Sequence, residues 1–228
     1  MNGCTKYKFK IATIAYLLLI TMGNMSFANQ NQDNWQAYLD GSVGKNIYYL
    51  YNLVMSSSFQ NKSNYRVLDL GSGAGDVDFN LAALGWDVTS VDTSQRAGEI
   101  ITERMKYING KFNFQLSGFE NAVLSGDYDL VLSFFALPFG DKNNLPEFMR
   151  KISQHMKPDA IFAVTFFGND HTFVKNGQAY GLSKDELSSI LNSNGFEIRY
   201  FLNRHYKQSG GNGESVNWDV LDVIAIKL

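Results

Sequence analysis

The chain has 228 residues, of which 45% are hydrophobic and 14% aromatic, and its formal net charge is −2. This length suits one well-buried domain, and this composition excludes a disordered chain. The weakly acidic balance argues against a nucleic-acid partner, since contact with phosphate backbones requires clustered Lys and Arg.

Residues 1–28 have the order of a secretory signal peptide. A lysine-containing start is followed by the apolar run 11–20 and then by small residues that end at Ala28. The apolar run is short for a bilayer span, so no stable membrane anchor is expected after cleavage. We expect export to the periplasm or beyond, with a cytoplasmic location as the alternative if the leader is not used.

Cleavage after Ala28 would remove three lysines and no acid, which moves the formal net charge from −2 to −5. It would also remove Cys4, the only cysteine. The remaining chain would then have no disulfide, no thiolate nucleophile and no cysteine metal ligand, and we predict no metal site.

Apolar periodicity predicts the elements that follow. Residues 29–63 are predicted to form a helical cap, in which Gly41 and Gly44 split a helix over Trp35–Ser57. Residues 64–228 are predicted to form a single domain. Its strands are expected at Arg66–Leu70, Asp87–Val91, Phe112–Leu116, Tyr128–Phe134, Ala160–Phe167, Phe196–Tyr206 and Val220–Leu228. Its helices are expected at Ala74–Leu84, Ser94–Ile108, Asn144–Met156 and Ser183–Asn194.

This alternation predicts a Rossmann-like, doubly wound α/β fold with a mostly parallel, seven-stranded sheet. The Gly- and Ser-rich turn 208–214 predicts a C-terminal antiparallel hairpin. Capping boxes are predicted for the last two helices, from Asn144 with Glu147 and from Ser183 with Glu186.

The loop after the first strand has glycine at every second position, as Gly71, Gly73 and Gly75. Glycines there let a ligand lie against the backbone at the mouth of a strand. Asp92, which follows the second strand, stands where an α/β nucleotide site has an acceptor for ribose hydroxyls. The third glycine of a dinucleotide fingerprint would fall on Asp76, whose carboxylate would face a pyrophosphate, so NAD and FAD are disfavoured.

With Asp69 before it, the loop reads D-x-G-x-G-x-G and resembles the first motif of class I S-adenosylmethionine-dependent methyltransferases. Segments 128–139 and 166–170, followed by Trp218, are similar in order to small bacterial methyltransferases of the tellurite-resistance type. The resemblance runs from about Trp35 to the C-terminus. It departs at 169–171 and around Trp218, where that subgroup tends to carry charged or basic residues.

The resemblance implies methyl transfer from S-adenosyl-L-methionine to an acceptor by in-line displacement. It implies cofactor-binding roles for Asp69, Gly71, Ser72, Gly73, Gly75, Asp92, Thr93, Gly118, Phe119 and Phe134. Phe119 is equally compatible with a place in the core, and Phe134 is interpreted as strand-end core in preference to a wall of the site. Aromatic residues that could line the acceptor pocket are Trp35, Tyr38, Phe139, Phe167 and Trp218.

A general base is needed only if the acceptor must first lose a proton. The candidates by position are Asp170, His171 and His205. Asp129 is interpreted as structural, because it begins its strand at the edge of the sheet away from the ligand.

The favoured acceptor is a small molecule, since no Asn-Pro-Pro-Tyr-type motif and no cysteine nucleophile follow the leader. Three alternatives remain: a non-catalytic nucleoside-binding module, a methyltransferase that acts on a protein of a host cell, and an aminopropyl transferase. The oligomeric state is not predicted. Export conflicts with a cytoplasmic methyl donor unless the protein acts inside another cell.

Overall fold

The computed structural model describes residues 35–45, 47–58, 64–209 and 215–228. The predicted signal peptide and most of the predicted turn 208–214 lie outside these residues. The chain divides into two compact units, Met1–Gly41 and Ser42–Leu228. No helix in the described part of the chain is long and apolar enough to cross a bilayer.

The predicted split of the first helix is confirmed. Residues 35–42 form helix α1, and α2 covers Tyr49–Ser58. The break lies just after residue 42, where Gly44 has a φ of 71°. That left-handed conformation favours glycine and ends the helix.

The second unit is built on one seven-stranded sheet. Its strands are β1 Arg66–Leu70, β2 Asp87–Asp92, β3 Lys111–Leu116, β4 Tyr128–Ser133, β5 Met156–Phe167, β6 Phe196–Ser209 and β7 Ser215–Lys227. Its further helices are α3 Asp76–Ala83, α4 Gln95–Met105, α5 Leu145–Gln154, α6 Thr172–Lys175 and α7 Lys184–Ser193.

The strand order is β3-β2-β1-β4-β5-β7-β6. Strands β1 to β5 pair in parallel, while β7 is antiparallel to both β5 and β6. This is the predicted Rossmann-like sheet with its C-terminal hairpin, and the fold class is confirmed.

Both faces of the sheet are covered, as the apolar strands predict. Successive strand residues point to opposite faces, so Leu68 and Val131 belong to one buried cluster while Val67 and Leu130 belong to the other. Helices α5 and α7 contribute to the first cluster, and α2 and α3 contribute to the second.

The capping box predicted at Asn144 is wrong. Asn144 has helical backbone angles and no side-chain cap, because a 3₁₀ turn over Lys142–Asn144 precedes α5. The side chain of Asp141 caps that turn, and Glu147 pairs with Arg150 instead. The second box, Ser183 with Glu186, is confirmed.

Three strand bounds also differ from prediction by more than one residue. β5 starts at Met156 and tolerates Pro158 and Asp159, because its register against β4 shifts there and Asp159 takes a φ of 64°. The hairpin strands β6 and β7 are longer than predicted, because they stay paired as far as Ser209 and Ser215. Helix α6 was not predicted.

Candidate functional site

The candidate site lies at the carboxyl ends of β1, β2 and β4. Strand β1 has β2 on one side and β4 on the other, so the connections from β1 to β2 and from β3 to β4 run in opposite directions along the sheet. In open α/β sheets such a switch point is where ligands bind. Asp69 is the penultimate residue of β1, and Asp92 is the last residue of β2.

The glycine loop, residues 71–75, has all three glycines in the left-handed region, with φ values of 79°, 55° and 71°. The N–H of Gly71 donates to the carbonyl of Val91 at 2.7 Å, which ties the loop to β2. A Cβ on Gly71 would lie 2.1 Å from the Cβ of Ala136, and one on Gly75 would lie 2.4 Å from Ile101. Close packing within the chain is therefore enough to require glycine at positions 71 and 75, whether or not a ligand approaches the loop.

Asp92 braces the loop as well as facing the site. Its Oδ2 accepts the N–H of Gly73 at 2.9 Å, and its Oδ1 accepts the N–H of Ser94 at 2.8 Å, next to Thr93. Burial raises the pKa of this carboxyl, while these backbone donors act to lower it. A carboxylate has about four lone-pair sites, so Asp92 keeps capacity for ribose hydroxyls.

A second buried acid accompanies Asp69, and sequence reasoning missed it. Asp78, in the first turn of α3, is fully buried, and Asp69 is only 6% exposed. Burial and the neighbouring carboxyl raise the pKa of Asp69 well above its usual range. Burial raises the pKa of Asp78 to about 7. The hydroxyl oxygen of Ser72 is also buried and has no hydrogen-bond partner among the described residues.

The loop after β3 lies beside the glycine loop. A 3₁₀ turn over Phe119–Asn121 begins after Gly118, and the ring of Phe119 is 3.7 Å from the position of a Cβ on Gly71. Phe119 also packs against the core and borders a cavity with Glu120. The binding and the core interpretations of Phe119 are therefore both compatible with its position.

An aromatic cluster surrounds the carboxyl ends of β4 and β5. It comprises Phe135, Phe139, Phe167, His171, Phe173, Tyr206 and Trp218. One of its members, Phe135, is adjacent in sequence to Ala136, the residue that packs closely against Gly71. The structure thus brings together three predicted acceptor residues, Phe139, Phe167 and Trp218.

His171 is the N-cap of α6 and lies fully buried in this cluster. Its ring stacks on Phe167 at 3.8 Å between centroids, and its Nδ1 accepts the N–H of Phe173 at 3.1 Å. The neutral ring then carries its proton on Nε2, which is buried without a partner among the described residues. Burial lowers the pKa of His171 to about 4, so the ring is neutral at physiological pH.

The other candidate bases are held elsewhere. Asp170 is exposed and pairs with Lys175 at 3.0 Å. His205 is 58% exposed in its side chain, and its Nδ1 lies 3.3 Å from Oδ1 of Asp219. Asp219, which we did not predict, is buried against Gly168 and accepts the N–H of Asp170 at 3.0 Å.

A polar network centred on β6 and β7 was also missed. The fully buried Asp222 of β7 accepts the hydroxyls of Tyr48 and Tyr49 at 2.7 Å each and Nε of Arg204 at 2.6 Å. The ring of Tyr48 lies 4.8 Å from that of Phe135. This network holds Tyr48 and the start of α2, and Tyr48 packs on the residues that follow β4.

Four other residues that the sequence singled out have positions that can be stated directly. Trp35 and Tyr38 are exposed and stack on each other at 5.1 Å within the first unit, so their role in the acceptor pocket stays a prediction. Phe134 packs partly buried against the core cluster that contains Leu130, which agrees with its core interpretation. Asp129 accepts the N–H of Arg66 at 2.8 Å and Nζ of Lys157 at 2.7 Å, which is a structural role.

The donor set fits a cationic nucleoside and does not fit a dinucleotide. Three buried carboxyls, Asp69, Asp78 and Asp92, converge on the glycine loop and would repel a pyrophosphate. Within the described ranges, no group of three or more His, Cys, Asp or Glu is arranged to hold a metal ion.

Comparison with known proteins agrees with this geometry. Residues 67–159 match the family model of a methyltransferase domain. The chain therefore resembles the methyltransferase family over these residues. It is 28% identical over 90 residues to TehB of Haemophilus influenzae, which is named as a probable S-adenosyl-L-methionine-dependent methyltransferase, covering 40% of this chain and 32% of that protein. The crystal structure of TehB superposes with a TM-score of 0.67 at 18% identity, over 85% of this chain and 67% of that one.

A second relative is a ubiquinone biosynthesis O-methyltransferase of Rickettsia canadensis, 29% identical over 111 residues, which are 49% of this chain and 46% of that protein. Matches to the curated relatives thus cover about half of their length or less. The predicted resemblance to the tellurite-resistance type is confirmed, and the predicted cofactor, S-adenosyl-L-methionine, agrees with the printed name of TehB.

Proposed function

We propose that the protein transfers a methyl group from S-adenosyl-L-methionine to a small-molecule acceptor by in-line displacement. The observation that carries this proposal is the pair of buried acids, Asp69 and Asp92, on either side of a left-handed glycine loop at the switch point of the sheet. The acids suit an amino-acid ammonium at one end of the cofactor and a ribose diol at the other.

The chain's own residues would bind, orient and exclude water. When bound, the cofactor supplies an electrophilic methyl group on a sulfonium. Displacement at that carbon needs no nucleophilic residue, because positioning and desolvation provide much of the rate enhancement. The aromatic cluster, which begins next to the glycine loop, would shield the reacting atoms from water.

The aromatic cluster also supports a small, flat acceptor. Its rings offer faces for stacking. Two buried N–H groups, Nε2 of His171 and Nε1 of Trp218, have no hydrogen-bond partner among the described residues. They would donate to an oxygen of the acceptor and leave that oxygen more acidic. The relative from Rickettsia is named as an O-methyltransferase, in keeping with an oxygen acceptor.

Binding is tested by isothermal titration calorimetry with S-adenosyl-L-methionine, S-adenosyl-L-homocysteine and NAD. We expect the first two to bind and NAD not to bind. Asp92→Ala should weaken cofactor binding at least tenfold, because a charge-assisted hydrogen bond contributes about 1.5–3 kcal/mol. Asp87→Asn, at the opposite end of β2, is the matched control and should bind as the wild type does.

Transfer is tested with methyl-labelled cofactor in a bacterial extract, followed by separation of the products by size. Label in the small-molecule fraction is the expected result. Label on protein would replace the small-molecule acceptor by a protein acceptor. Binding without any transfer in extracts of several kinds of cell would favour a non-catalytic nucleoside-binding module.

We also propose that residues 1–28 direct export and that the protein acts where S-adenosyl-L-methionine is available to it, inside another cell. The support is the order of charged, apolar and small residues in that segment. N-terminal sequencing of protein from separated cell fractions tests this. A chain that starts at Asn29 outside the cytoplasm is expected, and an intact Met1 found in the cytoplasm alone would exclude export.

A further inference from the structure

The buried carboxyl of Asp78 has no role in the cofactor contacts assigned above. It lies in the first turn of α3, directly after the glycine loop, and is fully buried. Its polar neighbours are the carboxyl of Asp69 and the hydroxyl of Ser90. Neither neighbour gives it a hydrogen bond of ordinary geometry, and both of its oxygens lack a partner among the described residues.

Asp69 and Asp78 form a pair of buried carboxyls, and the charged groups in and around this pair come from four elements. They are Asp69 on β1, Asp78 on α3, Asp92 on β2 and Arg104 on α4. Arg104 is the one cation in that set, and it is engaged elsewhere: its Nη1 lies 2.6 Å from Oδ1 of Asp76 and donates to the carbonyl of Ala74 at 2.6 Å. The surroundings of the pair therefore carry an excess of negative charge.

Two buried carboxyls in contact do not both ionise near neutral pH, because burial and mutual repulsion disfavour the second negative charge. One proton held between them supplies the missing donor for the oxygens of Asp78. In agreement, the pKa of both groups is raised, that of Asp78 to about 7. An unpartnered, buried acid next to a cofactor-binding acid thus indicates a site prepared for a cation.

We propose that Asp69 and Asp78 share one proton in the ligand-free protein and release it to solvent when the cofactor's ammonium group binds. This inference rests on the proposed function, because it concerns the same cofactor site. The ammonium retains its own three protons and replaces the shared proton as the hydrogen-bond donor to the pair. Asp78 is then a positioning residue that acts on the cofactor through Asp69.

The proposal makes cofactor affinity depend on pH. A bound cation lowers the pKa of the pair, so the free protein holds more protons than the complex between the ordinary carboxyl range and about pH 7. Affinity must then rise with pH across that window, by at most about tenfold per pH unit for one proton. Above this window a free α-amino group itself loses its proton, near about 7.7–8.0, so measurements end at pH 7.0.

Isothermal titration of the full chain at pH 5.5 and pH 7.0, in buffers of different ionisation enthalpy, measures both affinity and protons released. The probes are S-adenosyl-L-methionine and 5′-methylthioadenosine, which keeps the ribose and adenine but lacks the amino acid. Any titration of Asp92, the ribose acceptor, affects both probes, whereas titration of the pair affects only the first. The variants are Asp78→Asn, with Asp78→Ser should the amide not be tolerated, and Asp87→Asn as a matched control.

We expect S-adenosyl-L-methionine to bind about tenfold more tightly at pH 7.0 than at pH 5.5, with up to one proton released, and 5′-methylthioadenosine to show neither effect. In Asp78→Asn the pH dependence and the proton release should decrease to a small fraction, while Asp87→Asn should retain them. Tight binding of S-adenosyl-L-methionine without these effects, or with the same effects in both Asp78 variants, would overturn this inference and leave the proposed function intact. No binding of either probe at any pH would overturn both.

Discussion

The close approach of Gly71 to Ala136 makes the glycine loop sensitive to a single methyl group. In Gly71→Ala the new Cβ would lie 2.1 Å from the Cβ of Ala136, at a residue whose φ is 79°. The left-handed backbone costs about 1–2 kcal/mol for a residue with a side chain. Overpacking costs about 1–3 kcal/mol more. We therefore expect Gly71→Ala to lower the free energy of unfolding by about 2–5 kcal/mol.

Gly85 provides the matched control. Its φ is 81°, but nothing lies within 4 Å of a Cβ built there. Gly85→Ala should therefore show the backbone cost alone, about 1–2 kcal/mol. Adding Ala136→Gly to Gly71→Ala removes the methyl group that the new Cβ would overlap, so the effects of the two changes on the free energy of unfolding should couple by about 1–3 kcal/mol.

Urea unfolding of Gly71→Ala, Gly85→Ala, Ala136→Gly and the double variant measures these terms, and titration with S-adenosyl-L-methionine measures the effect on the site. We expect Gly71→Ala to weaken cofactor binding, because the displaced loop moves the backbone between Asp69 and Asp92. Equal destabilisation by Gly71→Ala and Gly85→Ala, with no coupling to Ala136→Gly, would refute the packing argument.

Three further predictions concern stability. Because the pKa of Asp78 is raised, the folded state keeps a proton between about pH 4 and 7 that the unfolded chain has released, and the stabilisation from this proton is lost as pH rises through that window. In urea unfolding, Asp78→Asn should be more stable than the wild type at pH 7.5 and similar to it at pH 4.5. His171 has the opposite sign, because its lowered pKa makes stability rise from about pH 4 to 6.5; His171→Asn keeps a capping side chain and should show a smaller slope of unfolding free energy against pH in that range. Asp222→Asn should lower the free energy of unfolding by about 3 kcal/mol, since it leaves the partly buried Arg204 without its carboxylate. Tyr49→Phe, which removes one hydrogen bond to Asp222, should lower it by about 1 kcal/mol. Equal effects of the two changes in thermal unfolding would contradict the role given to this network.

The cofactor loop could be predicted because its signals are local. Gly71, Gly73 and Gly75 follow an apolar strand directly, and Asp92 ends the next strand along the chain. Parallel pairing of β1 with β2 then brings these residues together without any further information. The fold class follows from the same alternation of strands and helices.

Features that depend on distant contacts were not predicted. Asp78 reads as an ordinary polar residue of a helix, and its burial emerges only when α3 packs on the sheet. Asp222 lies 174 residues from its partner Tyr48, beyond the range of any local pattern. His171 looks like a candidate base in the sequence, yet its neighbours Phe167 and Trp218 bury it and hold it neutral.

Local rules also failed where two of them competed. Asn144 and Glu147 have the spacing of a capping box, but Asp141 starts a 3₁₀ turn earlier and supplies the cap itself. The apolar run predicts that β5 starts at Ala160, but a shift of register lets the strand begin at Met156. In both cases the neighbouring segment decided the geometry.

The most direct test of the central claim is a titration of the purified protein with S-adenosyl-L-methionine and with NAD, repeated on Asp92→Ala. We predict that S-adenosyl-L-methionine binds the wild type, that NAD does not, and that the substitution weakens binding of S-adenosyl-L-methionine at least tenfold. Binding of NAD in preference to S-adenosyl-L-methionine, or an unchanged affinity for S-adenosyl-L-methionine in Asp92→Ala, would contradict the site described above.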